Sequence, residues 1–422
     1  MKFTSVSEWL DWQQQLHNKE IDLGLERIKP VYSRLIQRPI ANNIITIGGT
    51  NGKGSTLAFL EAIYVAAGYR VGSYTSPHLL NYNERIRLQG EPIDDESLCD
   101  AFEHVELARK ETSLTYFEYG TLAAFHFFQH QSLDVVLLEV GLGGRLDVVN
   151  IVESDLSIIT NVELDHMDWL GDTREKIAVE KFGITRQDKS VVFVDDKLPE
   201  SGQIICAKNN ISIYQLNKQF SFQRRDNNWH WRSPEKDYFS LPLPHLVGNH
   251  QLKNAAGTLM AIVLLENKLP VSMPHIRLGL TNVTLPGRFQ VTNIGQDNLQ
   301  ISDVAHNPHG IKAFIESLIT LPKIGDHLLV FGLLRDKSLD EVLNLLKPHI
   351  DHWFVTGIDD ARGLSAEEIK NSMLSNGINE RDIDCFSNTK QALESARLQL
   401  QKHDKLLVLG SFYVVSDALN LD

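Results

Sequence analysis

The stretch Asn43-Ile44-Ile45-Thr46-Ile47-Gly48-Gly49-Thr50-Asn51-Gly52-Lys53-Gly54-Ser55-Thr56 decides the fold class. Ile44 to Ile47 form a short β-branched run, the composition of a strand. A glycine-rich loop follows, and from Ser55 to Ala67 the apolar residues take helical spacing, with Gly68 as the stop. Strand, glycine loop and helix in that order are the setting of a phosphate-binding loop. Glycines let backbone N–H groups turn toward phosphate oxygens, and the helix N-terminus adds positive potential. Lys53 can reach the outer phosphates, and the Ser55 hydroxyl can coordinate or position Mg²⁺. The spacing departs from the usual Walker pattern, because Gly54 separates Lys53 from Ser55. A plain glycine turn is the alternative, and the strand–loop–helix setting favours nucleoside triphosphate binding over it.

Outward from this loop, strand and helix patterns alternate. Val71 to Tyr74, Asp134 to Glu139 and Leu156 to Asn161 read as strands, and Phe117 to Gln129 as a helix. Asp172 with Glu175 resembles a capping box opening a helix that Gly183 closes. Such alternation specifies an α/β fold built on a mostly parallel sheet. Between Ser190 and Leu246 short strand candidates alternate with polar turns, which predicts an appended antiparallel hairpin region. A helix from Asn249 to Glu266 follows. The expected boundary lies near Leu285 to Asn298: residues 1–288 form the P-loop domain, 289–297 a linker and 298–422 a smaller Rossmann-like α/β domain. In that last part Leu299–Val304, His327–Gly332, His352–Thr356 and Lys405–Leu409 read as strands. Gly310–Thr320, Leu339–Lys347, Ser365–Ser375 and Thr389–Gln401 read as helices. Two such domains are expected to leave a cleft, the usual place for small substrates.

Composition narrows the partners. The 422 residues are 42% hydrophobic and carry a net charge of −13, which argues against a nucleic-acid backbone as ligand. A local cradle of amides, lysines and metal ions can still hold a small anion. Cys99, Cys206 and Cys385 are far apart and lack CxxC spacing, so neither a disulfide framework nor a zinc knuckle is indicated. The N-terminus MKFTSVSEWLDWQQQLHN has no apolar signal stretch, and no apolar run reaches the ~18 residues needed to span a bilayer. The expectation is a soluble, cytoplasmic protein without membrane contact.

A P-loop alone does not say how the phosphate is used. Ser76 follows one strand, Glu139 ends another and His166 follows a third. In an open parallel sheet those C-terminal ends converge on the crevice that also holds the P-loop. Ser76 and Glu139 offer the hard oxygens that Mg²⁺ favours, and His166 is a less usual ligand for it.

Several motifs stand in a familiar order: Thr50 to Ser55, Thr75-Ser76-Pro77-His78-Leu79, Glu139-Val140-Gly141-Leu142-Gly143-Gly144-Arg145-Leu146-Asp147 and Leu164-Asp165-His166. Glu180-Lys181, Leu285-Pro286-Gly287-Arg288 and Asp303-Val304-Ala305-His306-Asn307-Pro308-His309 follow. Together they resemble the folylpolyglutamate synthase branch of the Mur ligase superfamily. Asp22-Leu23-Gly24-Leu25-Glu26-Arg27 and Leu114-Thr115-Tyr116-Phe117-Glu118-Tyr119-Gly120 narrow the resemblance to the bifunctional bacterial members, which also carry dihydrofolate synthase activity. The likeness spans nearly the whole chain and is weakest around Asn210 to Tyr238.

The resemblance implies site roles. ATP, as co-substrate, would meet Thr50, Asn51, Gly52, Lys53, Gly54 and Ser55, and also Asn254, Arg288 and Asp303. Ser55, Ser76 and Glu139 would lie near a first Mg²⁺, and His166 would ligate a second. Lys181 would be carbamylated, since an ammonium offers only donors and approaches a metal productively only as an anionic carbamate; an unmodified Lys181 paired with Glu180 or a phosphate is the alternative. Lys53, His166, Lys181 and Arg288 would be the catalytic set. Asp22, Leu23, Gly24 and Leu25, then Thr115, Tyr116, Phe117 and Glu118, then Leu146, Asp147 and Val148, would hold the pterin. Tyr116 and Phe117 suit a flat heteroaromatic ring, although aromatics at such spacing also build cores. Glutamate would enter near His306 and Ser411, and Ser411 reads equally as a strand-end turn.

The implied reaction joins L-glutamate to dihydropteroate and adds further glutamates to reduced folates, through an acyl phosphate. A monomer is the family expectation. A Mur-type ligase acting on a UDP-muramyl acceptor shares this chemistry, and the DLGLER and LTYFEYG segments disfavour it. A P-loop kinase or switch and a non-enzymatic nucleotide-binding module share only the loop.

Overall fold

A computed structural model describes residues 3–295 and 297–421. Two compact units emerge, one from residues up to His245 together with Leu252–Val283, the other from Leu246–Gln251 together with residues from Thr284 onward.

In the first unit the strands β1 (Asn43–Gly48), β2 (Val71–Tyr74), β3 (Ile86–Leu88), β4 (Glu91–Pro92), β5 (Val135–Glu139), β6 (Leu156–Ile159), β7 (Ser190–Phe193) and β8 (Ser212–Gln215) form one sheet. Its order is β4-β3-β2-β5-β1-β6-β7-β8. From β2 to β8 the pairs are parallel, and β3 and β4 extend one edge antiparallel. β1 and β5 are buried almost throughout, as central parallel strands covered on both faces must be. Their register sets Ile47 beside Glu139, so the P-loop and the Glu139 carboxylate leave adjacent strand ends. The helix after β1 begins at Lys53, two residues before the expected Ser55.

A cluster centred on Trp9, Phe102, Tyr119 and Phe125 fastens the N-terminal segment and the helices Asp95–Arg109 and Tyr116–Phe128 to this sheet. The helix Val6–Gln14 opens with a capping box from Ser5 and Glu8.

Three sequence expectations change. The hairpin region is smaller than expected: β7 and β8 are parallel members of the main sheet, joined through the helix Glu200–Lys208. Only β9 (Ser221–Arg224), β10 (Asn228–Arg232) and β11 (Asp237–Pro242) make an antiparallel sheet. Short strands separated by polar turns look alike in either topology, and Pro199 before the helix disguised its start. The cap of Arg174–Phe182 is Thr173, whose hydroxyl accepts from Lys176, while Asp172 instead bonds the Lys176 ammonium at 2.8 Å. Finally, the stretch 289–297 contains β12 (Gln290–Asn293), antiparallel to β13 (Leu299–Ser302).

The second unit adds β14 (His327–Phe331), β15 (His352–Thr356), β16 (Ile383–Phe386) and β17 (Lys405–Leu409) in the order β12-β13-β17-β14-β15-β16. From β13 to β16 the pairs are parallel. Helices Pro308–Leu318, Leu339–Leu346 and Ala366–Ser375 bury Ile311, Phe314, Val342, Leu343 and Ile369 against it. Among the described residues no helix is long and apolar enough to cross a membrane.

Candidate active site

The loop after β1 is shaped by its glycines. Gly49 has φ +139°, and a Cβ there would lie 1.8 Å from the Thr160 hydroxyl. Gly52 caps the helix Lys53–Ala66 in the left-handed region, and a Cβ would meet the Asn254 side chain at 2.7 Å. The loop is pinned from the end of β6: Asn161 Oδ1 accepts from Asn51 N at 2.9 Å, and Thr50 exchanges bonds with the Glu163 backbone. Lys53 Nζ donates to Thr50 O at 3.3 Å, which folds the side chain back over the loop. Ser55 is buried one turn into the helix.

Around Lys53 lie groups whose ionisation is shifted. Burial, with the Lys53 ammonium nearby, pulls Lys181 down to about 7, and Asp165 opposes this only in part. Asp147, fully enclosed, is pushed up to about 6 by burial, against the pull of backbone donors and of Lys53. Its two oxygens accept from Leu142 N at 2.9 Å and Val149 N at 2.8 Å. Lys181 is carried beside the 141–147 loop by close backbone packing: Arg145 N donates to Glu180 O at 2.8 Å, and a Cβ on Gly144 would meet that oxygen at 2.6 Å. Glu180 itself pairs with Arg145 at 2.8 Å.

Glu139 is 5% exposed, and one of its oxygens lies 3.4 Å from Ser76 N. His166 takes a left-handed φ of 50° and opens the short helix Met167–Leu170. Its N–H donates to Asp165 Oδ1 at 2.9 Å, and Nε2 of its half-exposed ring lies 4.0 Å from the same oxygen. Ser76, Glu139 and Asp165 supply hard oxygens, and Lys181 supplies an amine that is half neutral near pH 7. The carboxylates and the hydroxyl are of the kind that a divalent cation favours.

The segments with the DLGLER and LTYFEYG motifs meet. Gly24 N donates to Leu146 O at 3.2 Å. Thr115 and Glu118 form a capping box at the head of the helix Tyr116–Phe128. The Phe117 ring fits against Gly141, where a Cβ would meet it at 2.5 Å, and Tyr116 stands edge-on to Tyr82 at 5.4 Å. Leu23, Leu25 and Asp22 remain half-buried on the loop before Arg27.

In the second unit, Asp303 at the end of β13 accepts from Phe289 N at 2.7 Å and Ala305 N at 2.8 Å. Burial raises its pKa and the adjacent Arg288 lowers it. The Arg288 guanidinium stands 5.6 Å from the centre of the Phe412 ring, and the His306 ring 6.2 Å from it. His306 Nδ1 lies 2.9 Å from Val304 O, which fixes the proton on that nitrogen. Ser411 is buried, and its hydroxyl caps the helix Phe412–Asn420 by accepting from Val414 N at 3.1 Å. Ser411 thus fills the strand-end turn role that the sequence left open.

Sequence reasoning missed Asn161, Asp165, Phe412 and Arg27. Asn161 had a local signal, an amide at a strand end beside the loop. Arg27 lay inside a quoted motif, and its role needed the fold to reveal its partners.

The chain matches two family models, the Mur ligase middle domain over residues 47–263 and the Mur ligase glutamate ligase domain over residues 287–412. It is 39% identical to the dihydrofolate synthase/folylpolyglutamate synthase of Escherichia coli K12, over 99% of this chain and 95% of that protein. With the enzyme of the same name from Haemophilus influenzae the identity is 38%, over 99% and 98%. Among solved structures, E. coli FolC in complex with DHPP and ADP superposes with a TM-score of 0.92 at 38% identity, covering 99% of this chain and 97% of that one. A bifunctional folylpolyglutamate synthase/dihydrofolate synthase with Mn, AMPPNP and L-glutamate bound gives 0.91 at 39%, covering 99% and 98%. The protein belongs to the dihydrofolate synthase/folylpolyglutamate synthase family of Mur ligases.

Proposed function

We propose that this chain joins L-glutamate to 7,8-dihydropteroate, and further glutamates to reduced folates, with ATP consumed through an acyl phosphate. One observation carries the reading: in a chain of this family, the glycine loop with Lys53 folded over it leaves β1 beside the strand that ends at the buried Glu139, whose carboxylate lies 3.4 Å from Ser76 N. That arrangement gathers charge control where an outer phosphate would meet an acceptor carboxylate. The UDP-muramyl alternative finds no support in the relatives, which carry folate-enzyme names over their full length.

A carboxylate is a poor electrophile, so direct attack by an amine fails in water. Transfer of the terminal phosphoryl group to a carboxylate oxygen makes the carbonyl carbon reactive, and ADP leaves. The glutamate nitrogen then attacks that carbon, the tetrahedral intermediate collapses, inorganic phosphate departs and the amide remains. Lys53 and the N–H groups of Thr50 to Ser55 hold the phosphates, and the Gly52 turn aims those donors. Asn254, Arg288 and Asp303 are the further residues assigned to the nucleotide, with Arg288 offsetting charge on the moving phosphoryl group. His306 and the backbone around Ser411 receive glutamate. Loop 22–25, residues 115–118 and residues 146–148 hold the pterin.

Ser55, Ser76 and Glu139 would hold one divalent cation, Mg²⁺ in the cell, and His166 with carbamylated Lys181 a second. Such ions supply neutralisation of phosphate charge. Burial serves this set, since it keeps the Lys181 amine neutral enough to take up CO₂. A monomer suffices, because every proposed contact comes from one chain.

Product analysis tests the reading. Mass spectrometry of a reaction with ATP, Mg²⁺, L-glutamate and either acceptor should show dihydrofolate from dihydropteroate and longer glutamyl chains from tetrahydrofolate. Phosphate release without any glutamyl product would contradict it.

A further inference from the structure

The loop Asp22–Leu25 belongs to no helix or strand, yet it is half-buried and ordered. Holding each such residue in one conformation costs roughly 1–2 kcal/mol of backbone entropy. Something must fix the loop, and one backbone bond, Gly24 N to Leu146 O, does not fix it alone.

Arg27 supplies the buried part of the remaining ties, beside an exposed Lys19 that reaches the other Asp22 oxygen at 3.4 Å. Arg27 Nη2 donates to Asp22 Oδ2 at 2.9 Å and to Glu118 Oε1 at 2.7 Å, while Nη1 donates to Glu118 Oε2 at 2.9 Å and to Ser113 O at 2.5 Å. The guanidinium therefore grips Glu118 with both arms and Asp22 with one. Glu118 is nearly buried, with its side chain 6% exposed, and also accepts from Thr115 N at 2.7 Å. His17 joins the same group, with Nε2 3.4 Å from Asp22 and Nδ1 2.9 Å from the Ser113 hydroxyl. Two segments far apart in sequence are thus held face to face by one planar cation. A lysine has no equivalent planar fork and could not make the two-armed grip on Glu118.

We propose that Arg27 is a positioning residue for the pterin acceptor: it sets loop 22–25 against residues 115–118 so that both present one binding surface, without itself touching the acceptor. This rests on the assignment of those segments to the pterin. Ile28 and Val31, next along the chain, are fully buried in the same core cluster as Trp9.

The test compares wild-type enzyme with Arg27→Lys and Arg27→Ala, measuring kcat, the KM of each substrate and thermal unfolding. The acceptor KM should rise about tenfold in Arg27→Ala and less in Arg27→Lys, while the KM of ATP and of glutamate stay within about twofold. Added guanidinium ion at millimolar concentration should lower the acceptor KM of Arg27→Ala, and methylammonium should not. An unchanged acceptor KM, or an equal loss across all three substrates together with a lowered Tm, overturns the inference. If wild-type enzyme itself fails to use dihydropteroate or reduced folate, the proposed function falls and this inference with it. Normal wild-type turnover with an indifferent Arg27 variant removes this inference alone.

Discussion

Lys181 and Lys53 place two amines near each other inside a protein, and the cost falls on the more buried one. Desolvation and the Lys53 charge lower Lys181 to about 7, so its neutral fraction grows as pH rises through that value. Only the neutral amine reacts with CO₂. Carbamate formation, followed by NMR with carbon-13-labelled bicarbonate, should therefore increase from about one unit below pH 7 to one unit above it; a signal absent across that range, or lost in no Lys181→Ala control, contradicts the proposal. Lys53→Ala should abolish ATP-dependent ligation while leaving Tm within about 3 °C. Near-normal turnover by that variant would remove Lys53 from the phosphate site.

At the scale of elements, the P-loop depends on two backbone positions that side chains cannot occupy. Gly49→Ala should destabilise the chain or prevent its accumulation, because the new methyl would overlap the Thr160 hydroxyl at 1.8 Å and φ is +139°. Denaturant unfolding of Gly49→Ala indistinguishable from wild type would contradict this. At the other end of the site, Thr173→Ala removes the cap of the helix that carries Lys181, and about 1 kcal/mol of stability should go with it. Asp172→Ala, which touches only an exposed lysine, should cost far less. The contrast shows what the sequence left ambiguous: Asp172 and Thr173 are both good caps, and only the backbone turn decides between them. The buried parallel strands were legible as β-branched runs, and Val71–Tyr74 and His352–Thr356 have the bounds read from sequence. β12 was not legible, since Gln290–Asn293 is a half-exposed, polar edge strand with no burial pattern to mark it. The helix Glu200–Lys208 was hidden for a related reason, having few buried residues.

For the molecule as a whole, the glycine loop, Glu139 and Ser76 could be placed from the sequence because parallel-sheet topology sends such residues to strand ends, whereas Lys181 lies in the helix Arg174–Phe182 and was named only through the family resemblance. The Arg27 grip depends on pairings across distant segments, which no local pattern encodes, whereas Asn161 stands at a strand end and Asp165 inside the Leu164-Asp165-His166 motif. The proposed monomer should give a single-chain mass by light scattering with and without substrates; a stable dimer required for turnover would contradict it. The central claim is that ATP activates the acceptor carboxylate as a mixed anhydride. Dihydropteroate labelled with heavy-isotope oxygen in its carboxylate should pass one labelled oxygen to the inorganic phosphate released in each turnover, read by mass spectrometry. Phosphate that carries no label while dihydrofolate accumulates would contradict the account.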